Sequence, residues 1–356
     1  MLFRSVIMKR GIKRSFGIVV FSMLLILAMA VPVSASSKVD PPKYFRVVSL
    51  GDRSVNLRWS KNTSVSGYEL YQYDNASRKY KKIKTLGKTK YTCTIRNLQA
   101  GKTYKYLLKA YKKQNGKKYL SKASNKISVK AKKLSESVLS IRRPYYTVKT
   151  KKKVTVWNIT LSKKVTLKKG TKLAVTAKSG TAVNGYLKNG DKISIKRKYL
   201  KYTGLDVNGK NDYTKTVKQE FVNSKGYTSN TNWLIWVSER TCKVYVYKGS
   251  AGKWKLKKTF PCCVGRWQNR TASGIRSILK KEWSDTYNGY VLHFSSGTGT
   301  TSNPNGCAFH PKVDNRMGQA VSHGCIRMER SDLVYLYNNC PVGTREIGRA
   351  SCRERV

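Results

Sequence analysis

Cys307–Met328, CAFHPKVDNRMGQAVSHGCIRM, holds two of the chain's three histidines, His310 and His323, together with Gly324-Cys325 and Arg327. A nucleophilic cysteine needs a base to take its proton and a positive neighbour to favour thiolate. It also needs backbone N–H groups free to hold an oxyanion. Gly324, just before Cys325, permits a turn that aims successive amides at one point. The stretch therefore reads as a Cys–His acyl-transfer site. The competing reading is a buried cysteine in a core strand flanked by surface histidines.

Outward from this stretch the chain is long and basic. Its 356 residues carry 73 Lys+Arg against 17 Asp+Glu, a net charge of +56. That length suits two or three domains, and a 40% hydrophobic, 11% aromatic composition argues against disorder. Tyr (23) far outnumbers Phe (8), which suits half-exposed β surfaces. Such charge suggests nucleic acid as a partner, but the N-terminus argues against it. Residues 1–37 read as an export signal, with basic Arg4, Lys9, Arg10, Lys13 and Arg14, an apolar run Gly17–Val31, and the small-residue cleavage site Val33-Ser34-Ala35. The apolar run is shorter than the roughly 20 residues of a membrane span. A signal cleaved near residue 35 is expected, with an uncleaved anchor as the alternative. Anionic envelope polymers then replace nucleic acid as the expected partner.

Ile347–Val356 (IGRASCRERV) reads as translated sequencing-adapter DNA and is expected to lie outside the fold. Without signal and tail the charge is still about +49. Seven cysteines remain: Cys93, Cys242, Cys262, Cys263, Cys307, Cys325 and Cys340. An odd number in an exported chain flags one free, reactive thiol. There is no C-x-x-C zinc pattern. Disulfides among the others stay open, with a Cys262–Cys263 pairing disfavoured sterically.

Residues 40–132 alternate inward and outward in short strands such as Val55–Trp59 and Tyr68–Tyr71. This stretch resembles a fibronectin type III module, with Trp59 as its buried aromatic and Leu98, Gly101 and Tyr104 at the tyrosine corner. Both Trp59 and Tyr104 are read as core packing. A polar linker, Lys132–Arg143, leads to a β-rich stretch at 140–206 that resembles an SH3-like small barrel. Its lysine runs, Lys151–Lys153 and Lys168–Lys169, are solvated faces or, alternatively, a polyanion site. Asp212 is placed to cap a helix carrying Tyr213, Val217 and Phe221 and ending at Gly226. Strands are expected at Trp233–Val237, Cys242–Tyr247 and Lys253–Phe260. Ser331 is placed to cap a last helix with Leu333, Leu336 and Tyr337, stopped by Pro341.

Ser322-His323-Gly324-Cys325-Ile326-Arg327, with His310 thirteen positions before His323, resembles the signature of YkuD-type L,D-transpeptidases. Gly318-Gln319-Ala320 and the opening strand Trp233–Val237 fit the same family. Thr271-Ala272-Ser273-Gly274 stands where relatives have Thr-Pro-x-Gly. The resemblance covers 232–345 and implies a mainly β chain: a fibronectin III-like sandwich, an SH3-like barrel and a C-terminal β-sandwich with short helices. Relatives close this domain with a strand after Gly-Thr. Here Gly343-Thr344-Arg345 runs into the adapter-like tail, so a missing last strand and an open sheet edge are expected.

The resemblance implies Cys325 as nucleophile and His310 as base, oriented by the main-chain carbonyl of Pro311. It implies oxyanion amides from His323, Gly324 and Cys325, and loop positioning by Ser322. Arg327 is implied to steady the turn or meet a substrate carboxylate, with pairing to Glu329 or Asp332 as the plainer reading. His323 is structural in the plainer reading, His293 is a strand residue, and Cys307 is packing or a disulfide partner. The implied activity is an exported peptidoglycan L,D-transpeptidase needing no metal or cofactor and acylated by carbapenems. Its partners are implied to be stem peptides and anionic teichoic acids in a Gram-positive wall. With water as acceptor the site would be an L,D-carboxypeptidase. A sortase-like enzyme, an NlpC-type peptidase and an inactive wall-binding adhesive protein are the rivals. The first lacks its Thr-x-Thr-Cys strand here, and the second places Cys before His.

Overall fold

Alternating apolar and polar residues set between Gly, Asn and Lys turns become strands almost throughout. The computed structural model describes residues 39–295 and 306–348, so the expected export signal and residues 349–356 lie outside the described part. Among the described residues no helix is long and apolar enough to cross a membrane. Two compact units divide them. One holds 39–43, 61–90 and 107–126, and the other holds 44–60, 91–106 and 127–348.

In the first unit, Gly67–Asp74 and Lys79–Gly87 form an antiparallel hairpin in the register Tyr68↔Leu86. In the second, Arg46–Gly51, Ser54–Arg58 and Thr92–Ile95 make a three-stranded sheet. Trp59 follows the middle strand, buried against Phe45. The Tyr104 hydroxyl accepts a hydrogen bond from the Gln99 N–H at 2.9 Å. That bond back to the preceding loop is the tyrosine corner expected of Leu98–Tyr104.

Residues 146–205 form a seven-stranded antiparallel sheet. Its order is Lys163–Leu167, Val154–Asn158, Lys192–Lys196, Ala182–Tyr186, Lys172–Val175, Tyr146–Thr150 and Leu200–Leu205. Alternation puts Val148, Leu173, Val183 and Ile193 into its core and leaves Lys149, Lys172 and Lys201 exposed.

The helix after it runs Lys215–Lys225, capped by the Thr214 side chain, which accepts from the Val217 N–H, and ends at Gly226 with φ +65°. The expected cap, Asp212, lies two residues too early; it instead bonds Lys218 Nζ (2.6 Å) and accepts from the Tyr245 hydroxyl (2.6 Å). The helix covers one face of a five-stranded sheet ordered Lys255–Pro261, Lys243–Lys248, Trp233–Ser238, Arg345–Gly348, Gly274–Ser277. Trp233–Ser238 is buried along its whole length because both faces are covered. Leu234, Trp236, Tyr245 and Tyr247 meet Phe221 and Val222 of the helix. Ile235, Val244 and Val246 meet Phe294, Phe309, Ile326 and Met328 of a second sheet on the other side.

The expectation of a missing closing strand is corrected. Arg345–Gly348 forms that strand, parallel to Trp233–Ser238 and antiparallel to Gly274–Ser277, so it lies inside the sheet. Sheet ladders use backbone groups, and Ile347 supplies the apolar side chain the core needs. Gly348 supplies clearance, since a Cβ there would sit 2.3 Å from the Ala272 carbonyl oxygen. The last helix, Arg330–Asn339, begins after Glu329, without a side-chain cap, so Ser331 lies inside it.

Candidate active site

The second sheet, ordered Lys280–Ser284, Gly289–Ser295, Cys307–Pro311, Ile326–Met328, carries the candidate residues. Cys307–Pro311 and Ile326–Met328 run parallel, with Phe309 opposite Ile326 and His310 opposite Arg327. Side chains alternate along a strand. His310 and Arg327 therefore share a face, and Cys325 stands in the turn immediately before the second of these strands.

His310 is buried, and its Nδ1 lies 2.8 Å from the Pro311 carbonyl oxygen. A carbonyl only accepts, so Nδ1 carries the hydrogen and Nε2 presents a lone pair. Proline at this position leaves the interaction intact because only its N–H is missing. Burial drives the His310 pKa down to about 4, partly opposed by the bond to Pro311 and aided by the nearby Arg327 charge. The imidazole is thus neutral near pH 7 and able to accept a proton.

Cys325 is partly exposed and follows Gly324, whose φ of +128° favours glycine. The Ser322 hydroxyl holds this turn, donating to the Cys325 carbonyl (2.6 Å) and accepting from the Gly324 N–H (3.1 Å). One expectation changes here. The Gly324 amide is engaged by Ser322, so Gly324 shapes the turn and is not an open oxyanion donor. His323 is exposed beside it.

The segment 262–266 holds the loop from behind. Gly318 N–H donates to Cys262 O, Val264 N–H to Gln319 O, and Arg266 N–H to Ser322 O, while Cys263 and Arg327 exchange both backbone bonds. Arg327 reaches Asp314, Nη1 to Oδ2 at 2.9 Å, and not Glu329 or Asp332. Glu329 is taken by Lys312, and Asp314 is the acidic group the Arg327 fork can reach from its own strand. Asp314 is also held by Arg316, and these partners pull its pKa down to about 2.

Other residues resolve plainly. His293 lies in a strand, its Nε2 2.7 Å from Glu282. Cys307 is buried and packed without a disulfide, and Cys93, Cys242, Cys262, Cys263 and Cys340 are likewise unbridged. Thr271 accepts from the Gly265 N–H at 2.9 Å.

Tyr287, which sequence reasoning missed, stacks on His310 with ring centroids 4.1 Å apart and planes at 27°. Burial and then the Cys325 sulfur push its phenol above the ordinary pKa, placing it beside both members of the pair. Gly289 allows this turn to close on the site, because a Cβ there would lie 2.7 Å from the Pro311 ring. Only the turn composition Asp285–Gly289 hinted at a loop here, and nothing local marked its tyrosine.

Comparison with known proteins finds two family matches. Residues 232–347 match the family model of the L,D-transpeptidase catalytic domain (YkuD), and 40–127 that of the fibronectin type III domain. The Bacillus subtilis protein named L,D-transpeptidase YkuD is 31% identical over 96 residues, 26% of this chain and 52% of that one. The chain thus spans about half the length of this curated relative. Among solved structures, a fused Zn-dependent amidase/peptidase/peptidoglycan-binding-domain protein from Clostridium acetobutylicum is 27% identical. That match covers 38% of this chain and 59% of the other, with TM-score 0.30. An L,D-transpeptidase from Stackebrandtia nassauensis is 18% identical over 39% of this chain and 68% of its own, TM-score 0.28. Residues 232–347 thus match the L,D-transpeptidase catalytic-domain family (YkuD), and residues 40–127 of the same chain match the fibronectin type III family.

Proposed function

We propose that the chain is an exported peptidoglycan L,D-transpeptidase with Cys325 as its nucleophile. His310 Nε2 takes the thiol proton, and Cys325 Sγ attacks the carbonyl carbon of the third, L-configured diamino acid of a stem tetrapeptide. The amides of His323 and Cys325 receive the oxyanion. The peptide C–N bond then breaks, and the His310 proton leaves with the amine of D-Ala. In the second half, an amine on another stem loses its proton to His310 and attacks the thioester. An amide forms, giving a 3→3 crosslink, and Sγ departs. Arg327 and Ser322 hold the loop that presents Cys325, and no metal or cofactor enters the scheme.

The observation that carries this reading is a neutral, Pro311-anchored His310 on a strand that pairs in parallel with the strand directly following Cys325. The family match over 232–347 supports the reaction class. The test is release of D-Ala from a disaccharide-tetrapeptide. Wild type releases it and forms crosslinked dimer, whereas Cys325→Ala and His310→Ala do neither. Release from Cys325→Ala would overturn the assignment. Release without dimer would make the acceptor water and the enzyme a carboxypeptidase.

The expected export signal and a charge of about +49 without signal and tail are what support a setting among anionic wall polymers such as teichoic acids. Attachment of that kind weakens with salt, so wall binding that persists unchanged to about 0.5 M salt would contradict it.

A further inference from the structure

The sheet at 146–205 carries an unusual charge pattern on its solvent face. Lys149 lies directly opposite Lys172 on one side and Lys201 on the other, a row of three lysines across adjacent strands. Like charges directly opposite destabilise a sheet. Among the described residues no acidic side chain forms an ion pair with any of the three. The next row on the same face is Thr147, Ala174, Tyr186 and Lys192. Two small side chains there leave a trough beside a tyrosine. Tyr186 stacks flat on Tyr145 (centroids 5.2 Å, planes 2° apart), and the Arg142 guanidinium lies 3.9 Å from the Tyr145 ring. The segment around Leu139–Arg142 walls the trough, which encloses about 810 Å³. Its acid, Asp206, is already held by Arg142 and Arg240. A second cleft of about 700 Å³ shares Arg142, Tyr145 and Tyr186 and ends at Arg270. Arg270 belongs to the 266–271 segment, whose Arg266 N–H holds the Ser322 carbonyl.

We propose that this trough binds an anionic glycan, a chain of sugar rings carrying acidic substituents. The lysine row meets the charges, and the Tyr186 face with Ala174 beside it suits the C–H face of a ring. A simple polyanion would use the lysines but leave the aromatic floor idle, which is why the ligand is assigned sugar rings. Arg270 lines the second cleft and lies in the segment that holds Ser322, so a chain occupying both clefts would approach the catalytic loop. The choice of wall glycan rests on the setting proposed above, while the groove itself does not depend on the chemistry of Cys325.

The test is calorimetric titration of the full chain at low salt. The ligands are a peptide-free tetrasaccharide of alternating N-acetylglucosamine and N-acetylmuramic acid, neutral chitotetraose, and poly(glycerol phosphate), which has charge but no sugar ring. Wild type should bind the acidic tetrasaccharide at least about tenfold more tightly than chitotetraose. Lys149→Gln with Lys172→Gln should erase that preference while holding or raising Tm, because it relieves repulsion. Tyr186→Ala should weaken both sugars. The proposal is overturned if neither sugar binds, if the variants bind as wild type, or if Tyr186→Ala weakens poly(glycerol phosphate) as much as it weakens the tetrasaccharide. Because this assay reads binding, glycan binding without an acyl adduct would sink the acyl-transfer reading alone. The reverse result would sink the groove alone.

Discussion

Tyr287 gives the most instructive perturbation. The fall of the His310 pKa from its usual 6.5 to about 4 corresponds to roughly 3 kcal/mol. Loss of water around the ring is its largest cause. Tyr287 covers one of the two imidazole faces at 4.1 Å. Tyr287→Ala should therefore return a little under half of the shift, raising the pKa by about one unit. Tyr287→Phe keeps the ring and should leave it in place. The base must be neutral to accept the thiol proton, so the acid limb of kcat/KM should lie near 4 in wild type and about one unit higher in the Ala variant. At pH 5 the Ala variant would retain roughly half of its plateau activity, where wild type retains about nine-tenths. Linkage gives an independent readout. The unfolded chain binds this proton from about 6.5 downward and the native chain only near 4, so His310 lowers stability as pH falls through that window. Tyr287→Ala should flatten the slope. The assay is a pH–rate profile paired with NMR titration of the imidazole. An unmoved acid limb in the Ala variant, or an equal shift in the Phe variant, refutes desolvation by Tyr287 as the cause.

Other predictions follow from the packing. Ser322→Ala removes both bonds that shape the Cys325 turn, each worth about 1 kcal/mol, and should cut kcat by about 10- to 100-fold while lowering Tm by only a few degrees. Wild-type kcat in that variant would contradict the turn's role. Arg270→Ala breaks the nearly fully buried Arg270–Glu239 pair and should cost about 3–5 kcal/mol in denaturant unfolding; a loss under about 1 kcal/mol would argue against it. Glu346 is fully buried, and among the described residues neither carboxyl oxygen has a hydrogen-bond partner. Burial raises its pKa well above 4.5, so its folded-state advantage is present below that value and is lost as pH rises. Glu346→Leu should add about 1–3 kcal/mol at pH 7 and remove that pH dependence. Unfolding curves at pH 4.5 and 7 that match wild type would contradict it.

What was legible in the sequence was local. Cys325, Gly324, Ser322 and His310 could be named because their chemistry is written within sixteen residues, and Trp59 and Tyr104 because a sandwich corner repeats a short pattern. What failed depended on partners distant in sequence or on choices between near-equivalent neighbours. Thr214 and Asp212 are both good helix caps two residues apart, and Tyr245 drew Asp212 away. Arg327 had several acids within reach of its own strand, and only the fold decided for Asp314. The closing strand was rejected because residues 347 and 348 read as foreign, yet backbone pairing accepts any segment with an apolar residue and a glycine in those places. Tyr287 reaches His310 only through a hairpin and a strand pairing.

The most direct test of the central claim is intact-protein mass spectrometry after mixing the chain with a disaccharide-tetrapeptide, beside the Cys325→Ala variant. The account predicts a mass increase equal to the donor less D-Ala on wild type and none on the variant. A folded wild-type protein that gains no such mass, or a variant that does, would contradict it.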